Sequence, residues 1–134
     1  MSNHRGVLDA SRLFEGTWEG ENKIVVGIDI GTTHSGVSFA FLEKGGRPQL
    51  QRVTSWPGQE AQNHSSKVPT LVWYDTDKEA VSFGAEALSP QAEEDAEDDG
   101  WQLAKNFKLH LYPESMRNEY SLNLDPLPTG ISLA

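Results

Sequence analysis

From Lys23 the chain runs Ile24-Val25-Val26-Gly27-Ile28, apolar and mostly β-branched at successive positions. That pattern predicts a central strand covered on both faces. A turn over Gly31–Ser35 leads into Gly36-Val37-Ser38-Phe39-Ala40-Phe41-Leu42, a second strand, and so short a connection predicts an antiparallel hairpin. Glu43-Lys44-Gly45-Gly46-Arg47-Pro48 is the next turn, followed by a third strand over Gln49 to Thr54. Ser55 to Lys67 has loop composition, Thr70-Leu71-Val72-Trp73-Tyr74 is strand-like, and Ala80 to Phe83 pairs back onto it after the Asp75–Lys78 turn. Gly84-Ala85-Glu86-Ala87-Leu88 starts a helix expected to end near Pro90. Between Trp101 and Tyr112 two registers compete. Trp101, Ala104, Lys108 and Leu111 share a helical face, while Phe107, Leu109 and Leu111 alternate as in a strand. Pro113, Pro126 and Pro128 then interrupt regular structure.

The 134 residues suit one modest α/β domain. Residues 1–22 show no sustained period and are expected to be a polar extension without regular structure, leaving 23–134 as the folded part. The net charge of −9 argues against a nucleic-acid backbone or an anionic membrane surface as partner. Six of those charges, Glu93, Glu94, Asp95, Glu97, Asp98 and Asp99, fall in one run, expected to be a solvated acidic loop at 91–99. Cysteine is absent, so there is no disulfide framework or thiolate metal site. No apolar stretch approaches the ~20 residues that span a bilayer, and a soluble, cytoplasmic protein is expected. The four histidines, His4, His34, His64 and His110, lack the convergent spacing of a zinc site. Trp56, Trp73 and Trp101 are expected to pack rather than to stack on a ligand.

The candidate chemistry lies where the first strand ends. Asp29, Gly31, Thr32 and Thr33 bring a carboxylate, successive N–H groups and two hydroxyls to one sheet edge. Gly31 admits close backbone approach to a phosphate, and Thr32, Thr33 and the His34 N–H are the donors an anion-binding nest requires. Asp29 needs a cation or several donors, and Mg²⁺ suits it because that ion takes one or two carboxylates beside phosphates and retains its waters. No Gly-Lys-Ser or Gly-Lys-Thr follows the glycine, so this is not a P-loop. On residue types alone, an ordinary hairpin turn accounts for the same Asp, Gly and Thr.

Val26-Gly27-Ile28-Asp29-Ile30-Gly31-Thr32-Thr33-His34-Ser35-Gly36-Val37 resembles the first phosphate motif of the heat-shock seventy (DnaK-type) chaperone family, within the actin and sugar-kinase ATPase superfamily. Val68-Pro69-Thr70-Leu71-Val72-Trp73 and Phe83-Gly84-Ala85-Glu86-Ala87 are similar to two later blocks of that family, in the same order. The acidic run makes the overall pattern more similar to a divergent heat-shock-seventy-like branch. The resemblance covers roughly Lys23 to Pro113 and implies a ribonuclease H-like, actin-like ATPase fold, of which this chain is the N-terminal fragment with a mixed sheet built on β-hairpins. It further implies ATP and ADP as ligands with Mg²⁺ held through Asp29, and phosphate contacts from Gly31, Thr32, Thr33 and His34.

The resemblance also implies a lysine near the γ-phosphate. Lys108, in Asn106-Phe107-Lys108-Leu109, is the candidate and Lys105 the fallback; a side chain snorkelling from an apolar face is the alternative for Lys108. The implied activity is an ATP-hydrolysing molecular switch, with unfolded polypeptides or co-chaperones as partners in a longer protein. On this reading the chain forms one wall of the nucleotide cleft and hydrolyses little by itself. Two other functions share the motif, a non-enzymatic interaction module and a sugar or metabolite kinase of the same superfamily. An unpaired sheet edge is also expected to make the chain marginally stable or self-associating.

Overall fold

The computed structural model describes residues 16–61 and 65–133. The chain divides into two compact units, Met1–Ile28 with Val37–Val53, and Asp29–Gly36 with Thr54–Ala134.

In the first unit, β1 (Lys23–Ile30, whose last two residues belong to the other unit) neighbours β2 (His34–Leu42), which neighbours β3 (Gln49–Arg52). The third strand therefore stops short of the expected Thr54. β2 and β3 are antiparallel, with Phe39 opposite Gln51 and Ala40 opposite Leu50. Phe39 and Phe41 meet edge to face, centroids 5.5 Å apart. The expectation for β1 is overturned. Its neighbour in the sheet is β2, and its large apolar side chains are 47–69% exposed, from Val25 to Ile28. A run of apolar residues at successive positions fits burial on both faces, but the described residues supply no layer over either face.

Residues 16–22 are tied to this unit rather than being a separate extension. Trp18 bridges Lys44 in parallel, donating its N–H to the Gly46 carbonyl at 2.8 Å and accepting from the Gly45 N–H at 2.7 Å. Its ring lies under the Lys23 ammonium at 4.6 Å. The rest of the expected extension, residues 1–15, lies outside the described residues, as does His64.

In the second unit, β4 (Val68–Pro69) pairs with the start of β2, His34 opposite Pro69 and Ser35 opposite Val68. A separate antiparallel sheet has the order β6-β5-β7, from β5 (Leu71–Tyr74), β6 (Ala80–Phe83) and β7 (Gln102–Lys105). The Asp75 carboxylate closes the β5–β6 turn by accepting the N–H groups of Asp77 and Glu79, both at 2.9 Å. The registered ladders are all antiparallel, so the expected mixed sheet is not found among the described residues; the parallel contact is the isolated Trp18–Lys44 bridge.

The largest departure from expectation is the acidic segment, which is a helix and not a loop. After a 3₁₀ turn over Glu86–Leu88, α1 spans Pro90–Asp99. The Ser89 hydroxyl caps it by accepting the Ala92 N–H at 3.1 Å, Pro90 fills the first turn, and Gly100 ends it at φ 70°, where a side chain would be strained. Ala92 and Ala96, one turn apart, are its buried positions, while most of the acids face solvent. Caps and two small inward residues therefore prevail over charge repulsion. The disputed stretch from Trp101 resolves into both readings in succession, β7 and then a 3₁₀ helix over Phe107–Leu111. A short α2 (Glu114–Glu119) follows Pro113, whose ring suits a helix start better than a helix interior.

Among the described residues the buried core consists of Ala40, Ala85, Ala87, Ala92, Ala96 and Ala104 with Thr70, and no large side chain is fully enclosed. No helix among those residues is long and apolar enough to cross a membrane.

Candidate functional site

The turn from Asp29 to Gly36 and its partners lie together in the second unit. Gly31 sets its geometry. A Cβ at this position would press into the backbone carbonyl of His34, so the chain reverses this tightly only because residue 31 lacks a side chain. Thr33 is then held from two sides, its carbonyl accepting the Thr70 N–H at 2.9 Å and its hydroxyl lying 3.2 Å from His34 Nδ1. Ser35 and Thr70 hydroxyls share a 2.8 Å hydrogen bond, which fastens the turn to the β4–β5 segment. The Val68–Trp73 block thus lies against the turn.

Asp29 is exposed, with 65% of its side chain open to solvent, and forms an ion pair with Lys67. The expectation of a carboxylate at the end of a buried strand is therefore corrected, because β1 is not covered. The hydrogen bond and charge of Lys67 hold the Asp29 carboxyl below its ordinary value of 3.8 against an opposing effect of desolvation, with a lesser contribution from Lys108. Lys67 reaches it by passing Gly36; a Cβ on Gly36 would lie 3.0 Å from the lysine chain and from the Ser66 carbonyl. Lys67 escaped the sequence reading because nothing in its neighbourhood marks it as the partner of a residue so distant in the chain.

Because the Asp29 pKa is depressed on folding, the contribution of the pair is present above the unfolded value and is lost as pH falls through the folded one. Carbon-detected NMR titration of Asp29 is expected to show a midpoint below 3.8 that returns toward 3.8 in Lys67→Met. An unchanged midpoint in that variant would show that the ion pair does not set it.

Lys108 is delivered from the 3₁₀ helix after β7 and donates to the Ile30 carbonyl at 2.8 Å. Lys105 is engaged elsewhere, 3.3 Å from Asp125. Asp125 also accepts from Asn106 Nδ2 at 2.8 Å, and its backbone carbonyl accepts from His110 Nε2 at 2.7 Å. The Asn106 hydrogen bond, with Lys105 and His110 adding to it, keeps the Asp125 carboxyl below its ordinary value. Asn106 adopts φ 50°, a left-handed conformation that asparagine tolerates, at the junction where the chain leaves β7 for the 3₁₀ helix. Asp125 is the second residue the sequence reading missed, since Asp125-Pro126 reads only as a turn.

An apolar cavity of about 390 Å³ flanks the turn, lined by Ile30, Ser35, Trp56, Val68, Leu71 and Phe107 among others. Asp29, Thr32, Thr33 and Lys108 are not among its lining residues. His34, exposed, presents its ring to Thr33, and no group of three potential metal-ligating side chains occurs among the described residues. Asp29 as a sole carboxylate ligand is compatible with a hydrated Mg²⁺ bound jointly with phosphate oxygens, and not with a protein-only metal cage.

The structure is thus a small mixed α/β protein with antiparallel sheets, in which Asp29, the Gly31–His34 turn and Lys108 are brought together. No protein-family model, curated protein or solved structure matches the chain.

Proposed function

We propose that this chain is the phosphate-binding part of an ATP-dependent molecular switch of heat-shock-seventy type, on a ribonuclease H-like, actin-like ATPase fold. The observation that carries the reading is the Lys108 contact with Ile30, which brings an ammonium group to the Asp29–Gly31 turn from a point 78 residues along the chain. In this reading the Gly31 backbone approaches the phosphates, the Thr32 and Thr33 hydroxyls and the His34 N–H donate to their oxygens, and Asp29 orients the water shell of Mg²⁺. Lys108 stabilises charge at the terminal phosphate. Bound Mg²⁺ supplies charge neutralisation along the phosphate chain. Asp29 must exchange Lys67 for the metal's waters, and the pair's exposure makes that exchange inexpensive.

Calorimetric titration of Mg·ATP and Mg·ADP into the chain tests the proposal. Binding is expected in the wild type and is expected to weaken about tenfold in Asp29→Asn and in Thr32→Ala, the scale of one hydrogen bond to a charged group. Equal heats across the three proteins, or none in any, would remove the turn from consideration. The Lys67–Asp29 pair favours a second reading, a non-enzymatic interaction module in which Lys67 permanently occupies the place of the cation. Under that reading Lys67→Met does not create or strengthen Mg·ATP binding.

A further inference from the structure

Two ammonium groups attend one carboxylate at the strand-end turn. Lys67 forms an ion pair with Asp29, and Lys108 donates to the carbonyl of Ile30, the next residue. All four residues belong to the second unit. The backbone of Lys67 is itself fixed. The Ser65 hydroxyl donates to its carbonyl at 2.8 Å and lies 3.3 Å from its N–H, and Val68, the residue after it, is registered against Ser35 of β2. The side chain then runs past Gly36, where a Cβ would lie 3.0 Å from Lys67 Cδ. Asp29, Lys67 and Lys108 together carry one negative and two positive charges, in a chain whose net charge is −9. The pair is open to solvent, with the Lys67 side chain 46% exposed and that of Asp29 65%, so an arriving anion can reach the ammonium directly.

We infer that Lys67 is a resident counter-cation that lets the turn bind a polyphosphate chain without a divalent metal ion. A phosphate chain held at the Gly31–His34 turn lies close to the Asp29 carboxylate, and the two repel. Lys67 cancels that repulsion by neutralising Asp29 in place, and Lys108 supplies the net positive charge that attracts the chain. An ammonium group suits this double duty, because its three N–H donors allow it to keep the carboxylate and to donate to a phosphate oxygen as well. The charge count gives opposite signs for two neighbouring substitutions. Lys67→Met leaves the Asp29 charge uncompensated and Asp29 with Lys108 neutral overall, so that phosphate is no longer attracted. Asp29→Asn removes the repulsion at its source and frees the Lys67 ammonium for phosphate. The inference rests on the reading of this turn as a phosphate site, and it extends that reading to metal-free polyanions.

Calorimetric titration of the full chain with inorganic tripolyphosphate in EDTA tests it. Saturable binding is expected in the wild type, weakened at least about tenfold in Lys67→Met and largely restored in Lys67→Arg, which keeps the charge. Asp29→Asn is expected to bind tripolyphosphate more tightly than the wild type, although it binds Mg·ATP less tightly. Opposite shifts in the two variants cannot arise from misfolding, which weakens binding in both. ATP titrated in the same EDTA buffer identifies the source of the chain: tighter binding than tripolyphosphate assigns it to a nucleotide, and equal binding to inorganic polyphosphate. A wild type that binds Mg·ATP but not metal-free tripolyphosphate, or a Lys67→Met variant that binds tripolyphosphate as the wild type does, would overturn the inference and leave the phosphate reading of the turn standing. A wild type that binds neither ligand would overturn both.

Discussion

Gly31→Ala is expected to open the strand-end turn and to reduce affinity for Mg·ATP by at least an order of magnitude. The added methyl has no room, because its position is taken by the His34 carbonyl, a backbone atom that cannot rotate aside. Relief requires Thr33 and His34 to move, and Thr33 is the residue whose carbonyl receives the Thr70 N–H. Overpacking of this kind costs about 1–3 kcal/mol. The three-stranded sheet of β5, β6 and β7 does not share the strained atoms, so far-ultraviolet circular dichroism should retain its strand signal while the melting temperature falls. Titration calorimetry separates the two effects, and an alanine variant that binds and melts as the wild type does would show that the turn is looser than its geometry requires.

Ala96→Asp is expected to have the largest effect on stability. Ala96 is one of two buried positions by which α1 attaches to the rest of its unit, and it lies in a helix that already carries six acids and no basic residue. An aspartate there buries an unpaired charge, which costs roughly 3–5 kcal/mol, a large part of the ~5–15 kcal/mol available to an ordinary domain. Chemical denaturation should show the midpoint collapse, whereas Glu97→Asp at a solvent-facing position of the same helix should leave it nearly unchanged. Equal behaviour of the two variants would mean that α1 is not anchored through its alanines.

Several elements were legible because local and tertiary preferences agree. The β5–β6 hairpin follows from two β-rich runs around Asp75–Lys78, and the structure pairs them with a bulge at Trp73–Tyr74. The strand-end turn was legible for the same reason, since Gly31 lies where close approach demands it. α1 was misread because its charge was weighed before its boundaries. Ser89, Pro90 and Gly100 are cap signals, and Ala92 and Ala96 share a face, all visible in the sequence. β1 was misread for the opposite reason. Its composition reports a strand suited to burial, while its exposure depends on which other elements exist to cover it. Lys67 and Asp125 were invisible because long-range polar pairing leaves no periodic trace. Lys105 and Lys108 could not be separated in the sequence; their contacts, Lys105 with Asp125 and Lys108 with the Ile30 carbonyl, distinguish them.

The alanine core has a further consequence for how this sequence specifies its structure. Methyl groups let backbones approach closely, but they do not interlock, so steric fit excludes few alternative arrangements. Uniqueness must come instead from directional contacts at the periphery: the Ser89 hydroxyl on Ala92, the Asp75 carboxylate in its turn, and Asp125 gathering Lys105, Asn106 and His110. In most domains the interior constrains the sequence and the surface drifts. Here the ordering is inverted, and the positions least free to vary are polar residues that a hydrophobicity profile would pass over.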